Sequence, residues 1–94
     1  MADAELREDL IQVRRDFLSA QDRLSAAGRA LPAYAAVIAG EAEAAADEQR
    51  EEWAAAQEEC RRLAVAIQEH PYWETVEDRK AARKEIEAAA ESDR

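Results

Sequence analysis

Leu6, Leu10, Val13, Phe17, Ala20, Leu24, Ala27 and Leu31 follow one another in alternating steps of four and three. An apolar seam with this seven-residue repeat keeps one side of a helix turned toward a partner helix. No Gly or Pro falls between Leu6 and Ala27 to interrupt it. The spacing predicts a first helix from about Asp3, its N-cap, to Gly28. A second stripe runs beside the seam: Ile11 and Leu18 lie seven apart, with Ala4 and Ser25 continuing the row. A helix with apolar stripes on two sides touches two partners. One is the next helix of the hairpin, and the other is a third helix or a second subunit.

The rest of the chain reads as cover for that seam. Gly28 is expected to take the left-handed conformation that ends a helix, and Pro32 cannot continue one. Tyr34, Val37 and Ile38 would then close the end of the helical pair. A second helix is expected over 41–70, with Ala42, Ala46, Gln49, Trp53, Ala56, Cys60, Leu63 and Ile67 on one side. That side should lie antiparallel along the main seam, since the connection is short. Pro71 biases His70 away from helix and ends this element. A third helix, over about 74–90, restarts either at Pro71 or at Thr75, where Thr75 to Asp78 forms a weak capping box. Its apolar face (Tyr72, Val76, Ile86, Ala90) is thin and interrupted by Arg79 and Arg83. The expected fold is all-α, one domain over residues 1–94: a long, coiled-coil-like antiparallel hairpin with a shorter third helix, closed as a three-helix or a dimeric bundle.

Ala supplies 24 of the 94 residues, so much of the 48% hydrophobic content buries little area per residue. A core this thin in a chain this short gains from a second copy, which points to a homodimer. Ile11 and Leu18 are the candidate second contact, and Tyr72 and Trp73, beside Pro71, are the candidate aromatic anchor. The formal net charge of −9 repels nucleic acid and anionic membrane and favours a basic protein partner. Its densest part is 41–59, with eight acids against the single base Arg50. Glu41, Glu48, Glu52 and Glu59 share one face of the second helix there.

Chemistry-bearing motifs are missing. Cys60 and the lone His70 stand ten residues apart and cannot share a metal from one helix. There is no Gly-rich phosphate loop, no Ser/His/Asp set and no two-His metal spacing, so neither a cofactor nor an enzymatic activity is expected. One cysteine allows no internal disulfide and suits a reducing compartment. No apolar run approaches bilayer-spanning length, and Met1 to Glu5 lack the basic and apolar regions of a signal peptide, so a cytoplasmic address is expected. The function expected is a non-enzymatic helical protein–protein interaction module that self-associates. The alternative is a small acidic inhibitor whose carboxylates mimic nucleic acid and occupy a basic partner's groove.

His70-Pro-Tyr-Trp-Glu74, following Asp47-Glu-Gln-Arg50 and a long Glu/Arg-rich helix, resembles a group of uncharacterised short helical proteins from GC-rich bacteria and their phages. The resemblance spans most of the chain. It implies a helical fold and brings no assigned activity, cofactor or site residue. The excess of Arg over Lys, 11 to 2, agrees with a GC-rich coding genome.

Overall fold

A computed structural model describes residues 2–30 and 43–92. Over them the chain forms α1 (Asp3–Ala30), α2 (Glu43–Gln68), a short 3-10 turn (Pro71–Thr75) and α3 (Arg79–Ser92), with no strand among the described residues. The fold is all-α. Gly28 lies opposite Trp53, Arg23 pairs with Glu52, and Asp9 meets His70. Low numbers on α1 thus meet high numbers on α2, and the two helices run antiparallel. At about 1.5 Å per residue the hairpin arm is roughly 40 Å long. The radius of gyration is 17.8 Å, against about 12 to 13 Å for a compact chain of this length.

The main seam packs α1 on α2. Toward the middle of the arm, Ala20, Cys60 and Leu63 are buried, flanked by Val13, Phe17 and Leu24. Leu10 is completely buried on α1, and Ala56 is completely buried on α2. The second stripe is covered by the chain itself. Ile11 and Leu18 join Leu10, Tyr72, Trp73, Ala82, Ile86 and Ala90 in one cluster, with Leu6, Ile67, Val76 and Ala89 around it. The partner of this stripe is therefore the 3-10 turn and α3, while Ala4 and Ser25, at the ends of the row, are exposed. With 14 residues, α3 reaches only about 21 Å and covers about half of α1. Among the described residues the arm is three helices thick at one end and two at the other.

Two boundaries differ from the expectation. Gly28 does not stop α1, which continues to Ala30 without a left-handed residue at 28. Trp53 lies across this position, with its Cδ1 and Nε1 at 3.9 Å from where a Cβ would stand. The chain is thus helical, with Trp53 packed across it, where Gly28 suggests a stop. The third helix does not begin near 74. His70 caps the 3-10 turn, with Pro71 in its first turn, and Val76 is extended at φ −112, ψ 144. Asp78 is the N-cap of α3, its Oδ1 accepting from the Ala81 N–H at 3.1 Å. Pro32, Tyr34, Val37, Ile38 and Glu41 lie outside the described residues.

Candidate interaction surfaces

The residues expected to reach a partner divide into three groups by where the fold puts them. Ile11 is 2% exposed, and Leu18, Tyr72 and Trp73 are 8% exposed, so all four are core within a single chain. For Ile11 and Leu18 the structure takes the third-helix alternative rather than a second subunit, because α3 covers that stripe. For Tyr72 and Trp73 it corrects the expectation of an open anchor. The Trp73 indole N–H donates to the Ile67 carbonyl at 2.5 Å, satisfying an acceptor in the last turn of α2. The Tyr72 and Trp73 rings meet at 5.9 Å, tilted by 58°, and Thr75 Oγ1 donates to the Tyr72 carbonyl at 2.7 Å. The segment is a self-satisfied plug on the open side of the hairpin.

His70 is part of that plug. It is buried, and its Nδ1 accepts from the Tyr72 N–H at 3.1 Å. Its Nε2 stands 2.7 Å from Asp9 Oδ2 on α1. An accepting Nδ1 requires the proton on Nε2, so the ring donates to Asp9 and ties the end of α2 to the start of α1. Both ring nitrogens have structural partners. Cys60, between Ala20 and Leu63, is likewise held as a small apolar core residue.

The acidic face is largely matched by arginines. Glu52 accepts from Arg23 of α1 at 2.5 Å, and this hydrogen bond holds its carboxyl below the ordinary 4.5. Glu59 is paired with Arg62 and Glu58 with Arg61, and each carboxyl is lowered first by its arginine hydrogen bond. Of the four acids expected to act together, Glu48 is exposed and makes no ion pair among the described residues, and Glu41 lies outside them. A row in which Glu52, Glu58 and Glu59 each carry a guanidinium presents a weaker negative field than the count of acids suggests.

Two features remain unmatched, and both need the fold to be seen. The first is Trp53, which the seam places on the buried side of α2. It is 37% exposed, at the two-helix end of the arm. Gly28 stands across from it on α1, with no side chain to cover an indole. Its N–H makes no hydrogen bond among the described residues, unlike that of Trp73. One turn earlier, Gln49 Oε1 is covered and has no hydrogen-bond partner.

The second is a cleft of about 550 Å³ at the three-helix end, between α1, the last turns of α2 and α3. Phe17, Ile67, Trp73 and Ile86 give it an apolar floor. Arg14, Arg79 and Arg83 stand on its rim, with Glu87 beside them. The Arg14 guanidinium lies 5.2 Å from the Phe17 ring centroid and 3.9 Å from Glu87. Its Nε is buried without a hydrogen-bond partner. Arg79 and Arg83 have neither hydrogen bond nor ion pair among the described residues. The interruption of the apolar face of α3 at 79 and 83 is the sequence mark of this rim.

Among the described residues no group of three His, Cys, Asp or Glu side chains could hold a metal ion. No described helix is long and apolar enough to cross a membrane. The class is thus a small all-α protein built on a long hairpin, with a short third helix folded against one half of it. The chain belongs to a family described as a domain of unknown function (DUF8825), whose model matches residues 9–89 and so takes in the hairpin, the plug and most of α3. No curated protein and no solved structure matches it.

Proposed function

We propose that this chain is a non-enzymatic helical interaction module that self-associates through the two-helix end of its hairpin. The observation that carries this reading is Trp53: a large aromatic, 37% exposed, whose N–H makes no hydrogen bond among the described residues, on the half of the arm that α3 does not reach. Tryptophan buries more area per immobilised rotamer than most residues and dominates protein interfaces. The occupant is a second copy, because the thin Ala-rich core stands to gain from the added burial. A non-enzymatic role is supported by the structural engagement of His70 and Cys60, the two side chains best suited to acid–base or nucleophilic work. The single buried thiol fits a cytoplasmic address. The arginine partners of Glu52 and Glu59 weigh against the nucleic-acid mimic.

Sedimentation equilibrium of native protein and Trp53→Ala tests this. The native chain should behave as a dimer and the variant as a monomer with its helix content kept. A variant that stays dimeric, or a native chain that is monomeric throughout, overturns the reading.

A further inference from the structure

α3 is charged against its own electrostatics. Its first half carries Arg79, Lys80, Arg83 and Lys84 with no acid inside the first turn, and the carboxylate that meets this end is the Asp78 N-cap, already engaged with the Ala81 N–H. The N-terminal end of a helix is its positive end, where cations are disfavoured. Arg79 and Arg83 are also four residues apart on one face, a like-charge spacing that costs stability. Elsewhere the chain has acids to spare, 22 against 13 bases, and it uses them: Arg23, Arg50, Arg61 and Arg62 each meet a carboxylate. Arg79 and Arg83 meet none, and they face the cleft. Arg14, across from them, stacks on Phe17 and touches Glu87 only at a long 3.9 Å, so its donors are largely unfilled.

We propose that this cleft is a binding site for a small amphipathic organic anion, a carboxylate carried on an aliphatic or aromatic body. The volume of about 550 Å³ is that of a small-molecule site, and such sites combine an apolar lining with a few convergent polar groups. The body lies on Phe17, Trp73 and Ile86, and the carboxylate meets Arg79 and Arg83, with Arg14 as the third donor. Guanidinium groups bind carboxylates through two parallel hydrogen bonds, and an apolar surround strengthens them. The bound anion relieves the repulsion between Arg79 and Arg83, which the engaged Asp78 N-cap leaves uncompensated.

Isothermal titration of the full-length protein with naphthoate tests the site, against naphthylmethanol, which has the same ring system without the charge. Naphthoate should bind one to one, naphthylmethanol about ten-fold or more weakly, and the Arg79→Gln/Arg83→Gln variant should lose naphthoate by a similar factor. Both arginines are exposed, and without ligand the double variant should melt no lower than the native protein, since it removes a repulsion. Naphthoate and naphthylmethanol binding alike would overturn the proposal, as would a variant that keeps full affinity or melts lower because the arginines are structural. Failure of naphthoate at millimolar concentration while a Glu- and Asp-rich peptide binds would also overturn it and assign the cleft to a protein partner. Dimerisation through Trp53 is read separately by mass, so the two proposals fail independently.

Discussion

A methyl group added at Gly28 separates a helical residue from a left-handed helix stop, because the two conformations answer it with opposite sign. In the structure Gly28 is helical, two residues before the end of α1. Gly in a helix is about 0.5 to 1 kcal/mol less favourable than Ala, because its unfolded chain is freer. The new Cβ would stand 3.9 Å from Trp53 Cδ1 and Nε1. That is ordinary contact distance, adding roughly 0.1 to 0.2 kcal/mol of dispersion per atom pair and no clash. Gly28→Ala should therefore stabilise the protein by about 0.5 to 1 kcal/mol. For a domain of this size that raises the melting temperature by roughly 2 to 8 °C. Thermal unfolding followed by the helix band in circular dichroism reads it directly. Were residue 28 left-handed, the methyl would cost about 1 to 2 kcal/mol. A lower melting temperature would refute the account of this end of the hairpin.

Three further substitutions test the three-helix end and the cross-helix ion pair. Leu18→Ala, at a position 8% exposed between α1 and α3, should lower stability by about 2 to 5 kcal/mol in urea denaturation, whatever the oligomeric state. A loss below about 1 kcal/mol would mean the stripe is not intrachain core. Trp73→Phe removes the indole donor to the Ile67 carbonyl while the His70 N–H still reaches that oxygen at 3.3 Å. It should cost about 1 to 2 kcal/mol, seen as a lower urea midpoint with an unchanged slope. Glu52→Gln should cost a small, salt-sensitive amount near neutrality. The Glu52 carboxyl is lowered from 4.5 by Arg23, so its contribution is present above the ordinary value and lost as pH falls through the lowered one. Native and variant stabilities should converge in acid. A gap that persists there would assign the effect to packing.

The sequence carried some of this architecture openly and left other parts undetermined, for physical reasons. Steps of three and four along α1 specify a face, and the face they specify is the one that packs on Ala56, Cys60 and Leu63 of α2. The same rule found Ile11 and Leu18, but periodicity fixes which side of a helix is apolar and not whose side chains cover it. Here the cover is α3 of the same chain. The two tryptophans show the same limit. Trp73 sits in a break beside His70 and Pro71 and reads as a candidate anchor for a partner, yet Ile67 and the second stripe enclose it. Trp53 sits on a regular seam and reads as buried, yet it is 37% exposed with Gly28 across from it. Gly28 shows a local preference that the helix, with Trp53 packed across it, does not follow. Arg79 and Arg83 were visible as a flaw in an apolar face, and only the placement of Arg14 across from them turns the flaw into a rim.

Mass in solution by light scattering, over a range of concentrations and at low and high salt, tests self-association most directly. A particle of about twice the 10.5 kDa chain mass should persist or strengthen at high salt, because salt screens repulsion between acidic copies and leaves the Trp53 contact intact. A monomer at every concentration, or a dimer that salt dissolves, would contradict an apolar interface at the end of the hairpin.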